Sequence, residues 1–140
     1  MSNRRLYQLN HGTYDCQYHL VWVTKWRGKV LTEPYIKREL TSMFLKIARW
    51  KGCELRARHI GDEHIHLIIS VPPKYSPAYI VQVLKGKSSG WIKKKTKKLP
   101  TGPLWARGYF VSTIGLDEHQ VRNYVKNQHV HHQEIPKLPI

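Results

Sequence analysis

Gly61–Pro73 reads GDEHIHLIISVPP, and its alternation decides the fold. Ile65, Leu67, Ile69 and Val71 recur at every second residue, the period of a β-strand with one buried face. His64, His66, Ile68 and Ser70 take the other face. Four apolar side chains in register need a cover. The isoleucine side is therefore expected to meet helices, and His64 and His66 to stand on an open face. Pro72-Pro73 ends the strand. A tight connection near Gly61-Asp62 joins it to a preceding strand over Cys53–Gly61.

Upstream, Tyr14–Lys25 (YDCQYHLVWVTK) is aromatic and β-branched without helical spacing, and reads as a strand. A turn follows at Trp26–Gly28. Thr32 or Glu33, beside Pro34, opens a helix whose stripe is Ile36, Leu40, Met43, Phe44, Ile47 and Trp50. Gly52 stops it. Downstream, Ser76-Pro77 starts a second helix that buries Val81, Leu84, Ser88, Trp91 and Ile92. It runs into Lys93–Lys98 and breaks at Pro100. Tyr109–Ile114 is a fourth strand, closed by Gly115. Asp117 or Glu118 begins a last helix carrying Val121, Tyr124, Val125 and Gln128.

The order is β-α-β-β-α-β, then α. This predicts an α+β, ferredoxin-like domain: a four-stranded antiparallel sheet, two helices on one face and an additional C-terminal helix. The 140 residues fit one domain. Residues 1–13 form an N-terminal arm and 133–140 a loosely ordered tail.

Composition narrows the classes. Lys and Arg number 24 against 9 Asp and Glu, a net charge of +15. That charge points to a polyanion, nucleic acid before an anionic membrane surface. No apolar run approaches the ~18–20 residues of a membrane span, and Met1–Asn10 lacks an apolar signal core. With only Cys16 and Cys53, a disulfide framework and a Cys-x-x-Cys zinc site are both excluded. A reducing, cytoplasmic setting with two inert thiols is the expectation.

His64-Ile65-His66 places two imidazoles on one side of a strand, about 7 Å apart at the backbone. The spacing suits two ligands of one metal ion. A His-x-His pair alone is weak, because nine histidines in 140 residues make it common, and His129-Val130-His131 repeats it in a polar tail. The last helix adds specificity. Tyr124 and Gln128, four apart, share a face. A plain amphipathic helix explains the tyrosine, but an amide on the same stripe is unusual for core. A phenolate that attacks phosphorus beside a metal-ligating amide has a chemical use.

With these residues in place, the chain resembles the IS200/IS605 family of transposases, the single-tyrosine HUH nucleases. Four segments carry the likeness: Tyr18–Leu31 (YHLVWVTKWRGKVL), Gly61–Pro73, Val81–Ser89 (VQVLKGKSS) with Leu104–Gly115 (LWARGYFVSTIG), and Val121–Gln128 (VRNYVKNQ). The resemblance implies that His64 and His66 are paired metal ligands, that Tyr124 is the nucleophile and that Gln128 completes the metal site. The implied metal is Mg²⁺ or Mn²⁺. The implied reaction is cleavage and rejoining of single-stranded DNA at insertion-sequence ends through a 5′-phosphotyrosine intermediate. Recognition of subterminal DNA hairpins is implied too. So is a homodimer that exchanges its tyrosine helix, for which Gly115 offers a joint.

Lys85, Lys87 and Arg107 are candidate DNA contacts, with a solvated surface as the plain alternative. Trp50 and Trp91 fall on helical core stripes. Trp105, in a loop with Arg107, is the better base-stacking candidate, and His19 reads as structural. Two competing readings remain open from sequence. One is a ferredoxin-like module that only binds single-stranded nucleic acid, as RNA-recognition domains do. That reading leaves His64, His66, Tyr124 and Gln128 as coincidence. The other is a domesticated relative with the same chemistry.

Overall fold

A computed structural model of the protein describes residues 6–9, 12–97, 99, 101–113 and 125–126. The elements run β1 (Tyr7–Leu9), β2 (Gly12–Tyr14), β3 (Gln17–Val23), a 3₁₀ turn (Lys25–Arg27), α1 (Pro34–Trp50), β4 (Glu54–Ile60), β5 (His64–Ser70), α2 (Pro77–Lys95) and β6 (Phe110–Ser112). Four strands form one sheet in the order β4-β5-β3-β6, every neighbour antiparallel. The ferredoxin-like order expected from the sequence is present. The extra C-terminal helix of that reading falls on residues that, apart from helical Val125 and Lys126, lie outside the described ones.

The strand alternation does what it predicts. Ile65, Leu67, Ile69 and Val71 are buried against Leu20 and Trp22 of the sheet and against Leu40, Phe44 and Leu84 of the two helices. Trp22 meets Phe44 and Trp105 edge-on, with ring centroids 5.8 and 5.9 Å apart. The opposite face carries a smaller apolar group of Val21, Val23, Ala106, Phe110 and Val125.

Helix boundaries follow local chemistry. Pro34 sits in the first turn of α1, where no N–H is needed. Gly52 takes φ +72 just past its end, a conformation that costs glycine least. At the start of α2 the Ser76 hydroxyl accepts a hydrogen bond from the Tyr79 N–H at 3.1 Å. Among the described residues no helix is long and apolar enough to cross a membrane.

Three readings need correction. Part of the expected N-terminal arm is a hairpin, β1 with β2, stacked through Tyr7 and Tyr14 and tied to β4 by the Tyr7 hydroxyl donating to Glu54. Trp50 and Trp91 sit at the margins of their stripes rather than in the core, 62% and 39% exposed. Trp50 is the last residue of α1, beyond the cover of Ile47, and Ile92 takes the inward place beside Trp91. Trp105 is core instead: its indole N–H donates to the Lys85 carbonyl and the Ser88 hydroxyl. The two cysteines are free and half-buried, and burial pushes the Cys53 thiol up to about 11.

Candidate functional site

The strand register builds the site. Val23 lies opposite His64, Val21 opposite His66 and His19 opposite Ile68, so all share the open face of the sheet. β4 adds His59, directly opposite His66. The result is a group of four imidazoles on three strands. His19 and His66 share a hydrogen bond of 3.2 Å between Nδ1 and Nε2, and their rings are 4.9 Å apart. The rings of His59 and His64 are 5.4 Å apart. Alternation within β5 reveals His64 and His66, but His19 and His59 join them only through cross-strand pairing.

His64 is held from two sides. Its Nδ1 lies 3.0 Å from Glu63 Oε1. Its ring also lies over Gly61, where an added Cβ would come 2.5 Å from Cε1. Only a residue without a side chain leaves that room. The Glu63 backbone is pinned in turn, its carbonyl accepting from the Thr24 N–H at 2.9 Å. Burial works to raise the Glu63 carboxyl, but the hydrogen bond and charge of His64 hold it below its ordinary value. Burial, with His19, His64 and His59 nearby, brings His66 down to about 4. His66 is therefore neutral near pH 7, the form in which imidazole binds metal.

Among the described residues no three His, Cys, Asp or Glu side chains converge closely enough to enclose a metal ion. Two imidazoles on an open face, one backed by a carboxylate, fit a site that other donors complete. Tyr124 and Gln128, the expected nucleophile and third ligand, lie outside the described residues. Val125, the chain neighbour of Tyr124, is described. It is buried against Val21, Val23 and Phe110, on the sheet face that carries the histidines. Arg27 Nη1 donates to its carbonyl at 3.4 Å.

The three candidate DNA contacts divide. Lys85 is half-buried, and its ammonium donates to the carbonyls of Ala106 (2.8 Å) and Gly108 (3.0 Å). It clasps the loop before β6. Lys87 and Arg107 are exposed. Lys87 belongs to a surface that sequence reasoning missed. Lys51 Nζ lies 4.1, 5.1 and 5.6 Å from the ring centres of Trp50, Tyr79 and Tyr75, and Lys87 Nζ lies 5.4 Å from Trp50. Tyr75 and Tyr79 stack on each other at 5.1 Å. No Asp or Glu occurs between Glu63 and Asp117, so α2 and its flanks carry only positive charge.

Residues 12–128 match a family model described as "Transposase IS200 like". The transposase of insertion sequence element IS200 from Salmonella typhimurium is 30% identical over 124 residues, 86% of this chain and 81% of that protein. A crystal structure described as a transposase from Deinococcus radiodurans R1 superposes with a TM-score of 0.77 at 30% identity. It spans 87% of this chain and 97% of that one. A tyrosine transposase bound to a REP hairpin shares the fold, with a TM-score of 0.53 at 19% identity over 95% of this chain and 75% of that one.

Proposed function

Because the chain belongs to the IS200-like transposase family, we propose that it cleaves and rejoins single-stranded DNA at insertion-sequence ends, with Tyr124 as nucleophile. The observation that carries this reading is the placement of His64 and His66 on the sheet face that also receives Val125, next in the chain to Tyr124. The Tyr124 hydroxyl loses its proton as its oxygen attacks phosphorus. A 5′-phosphotyrosine bond forms and the 3′-oxygen leaves as a hydroxyl. That hydroxyl later attacks the same phosphorus and releases the tyrosine. The bond energy stays in the covalent intermediate, so no nucleotide cofactor is required.

His64, His66 and Gln128 would hold Mg²⁺ or Mn²⁺. Such an ion supplies Lewis-acid polarisation of the phosphate. The chain's own contribution is to keep His66 neutral, to fix His64 against Gly61 and Glu63, and to seat Val125 on the sheet. Hairpin ends of the element are the expected DNA partner. The Trp50–Lys51–Tyr75–Tyr79 surface with Lys87 supports that, offering ring faces and cations together. A homodimer with exchange of the tyrosine helix at Gly115 belongs to the same proposal.

The test is a denaturing gel of the protein with labelled single-stranded DNA from its genomic flanks and Mg²⁺ or Mn²⁺. A covalent adduct is expected, absent in Tyr124→Phe while DNA binding persists. An adduct that survives in Tyr124→Phe would falsify the assignment of the nucleophile. Binding without any adduct in the unaltered protein would favour a binding module.

A further inference from the structure

The turn after β3 holds a feature that the strand-cleaving chemistry does not use. Trp26 is 57% exposed, whereas Trp22 and Trp105 are buried. Its backbone is left-handed, φ 60 and ψ 15, and Arg27 follows at φ 53. Residues with side chains adopt that region rarely and at a cost. Gly28, which would adopt it freely, sits instead at φ −70. The unfavourable conformation therefore falls on the two residues that carry large side chains.

The surroundings hold it there. Thr24 is fully buried. Its hydroxyl donates to the Gly28 carbonyl at 2.6 Å, and its carbonyl accepts from the Arg27 N–H at 2.9 Å. The Lys25 N–H donates to the Leu104 carbonyl at 2.9 Å. The pinned turn swings the indole out of the core and onto the rim of a cavity of about 170 Å³. Lys25, Trp26, Val30, Thr101, Pro103 and Leu104 line it. Lys25 Nζ lies 5.4 Å from the centre of the Trp26 ring. The cavity adjoins the end of β3 that pairs with the start of β5: Thr24 bonds Glu63 through the backbone and Val23 pairs with His64, while Val30 and Leu104 of its lining pack with the helix-side core.

We infer that this cavity takes one unpaired nucleobase of the DNA strand held at the histidine face, stacked on Trp26, with Lys25 meeting an adjoining phosphate. An indole face, a proline and aliphatic walls suit an aromatic ring of any base. The cation beside the ring suits the backbone that carries that base. None of the lining residues is acidic, so the walls themselves set no negative charge against a phosphate. A duplex keeps its base faces covered, so the occupant is single-stranded. The location of the base relative to the cleaved bond rests on the strand-cleaving function proposed above; the pocket's preference for unpaired bases does not.

The test measures binding alone, without metal and with no chemistry. The full chain, Trp26→Leu and Trp26→Tyr are titrated with a fluorescein-labelled oligomer of twenty thymidines and with a blunt duplex of equal length. Trp26→Leu is expected to bind the oligomer about 5- to 100-fold more weakly, the range for loss of one stacked base. Its dependence on salt and its affinity for the duplex are expected to be unchanged. Trp26→Tyr, which restores an aromatic face, is expected to recover most of the loss. Unchanged oligomer binding in a folded Trp26→Leu protein would overturn the inference. So would an equal loss on the duplex, or a change of oligomeric state in light scattering, which would mark the surface as a protein contact. Failure of the Tyr124 adduct with the Trp26 effect intact would sink the proposed reaction and leave the pocket standing.

Discussion

His64 depends on a neighbour three residues away that has no side chain. The ring lies so close to Gly61 that a methyl group there would overlap Cε1 and Nδ1. The backbone at Gly61 does not itself demand glycine, so the conflict lies with the imidazole alone. Gly61→Ala should therefore cost little stability, within about 1 kcal/mol in urea unfolding. It should turn the ring of His64 away from Glu63. Mn²⁺ affinity, read by electron paramagnetic resonance, is expected to fall about 10- to 100-fold, the usual effect of disturbing a ligand's support. Unaltered metal affinity would show that His64 does not bind metal in this orientation. Glu63 itself illustrates a limit of the sequence. Beside His64 in the chain it should alternate to the other face, yet it precedes the first residue of β5 and bends back to the ring.

At the level of elements, Lys85 shows how a helix is tied to a loop. Its stem crosses from α2, and its ammonium serves two carbonyls before β6, while Trp105 returns a hydrogen bond to the Lys85 carbonyl. Burial brings the ammonium down to about 8 from an ordinary lysine value. The unfolded chain holds its proton to about pH 10.4. Between these values the unfolded state binds more protons, so this residue's contribution to stability rises with pH. Below pH 8 the desolvation cost is fully present. Relative to Lys85→Met, the unaltered protein should gain stability as pH is raised from 8 towards 10. Urea unfolding of both proteins at several pH values checks it. A constant difference would mean that the ammonium is well solvated. The same clasp explains why the KGKSS segment reads ambiguously. Lys85 and Lys87 are two apart on a helix and so point to different sides, one into a loop and one to the surface beside Trp50.

At the scale of the molecule, the histidines and the Trp50–Lys51–Tyr79 surface lie towards opposite ends of β5. His64 opens that strand, and the chain enters α2 after it ends. Seven strand residues span about 23 Å. The proposed holding of a DNA hairpin and the proposed cutting of a strand are thus expected to be separable by mutation. Trp50→Ala combined with Tyr79→Ala should lower affinity for a hairpin with an unpaired loop by at least about 5-fold. Adduct formation at saturating DNA should stay within about 2-fold of the unaltered protein, against the 100-fold or greater losses typical of damaged catalytic electrostatics. A large loss of rate at saturation would place that surface in the reaction itself.

The sequence by itself determined the βαββαβ order, because a period of two and a period of 3.6 are local and cannot be confused over Glu63–Val71 or Pro34–Ile47. It also placed His64 and His66 on the side away from the helices, since four apolar partners on one strand face leave the other to them. It could not place the tryptophans. Trp50 and Trp105 differ in exposure because of what lies over them, and a stripe or a loop position does not encode that. His19 and His59 join the histidine group through hydrogen-bonded register between strands that are distant in the chain. The left-handed turn at Trp26 is likewise decided by buried Thr24 and its bonds to Gly28 and Glu63. Local periodicity writes the elements; contacts across the sheet decide which side chains meet, and those contacts exist only once the chain has folded.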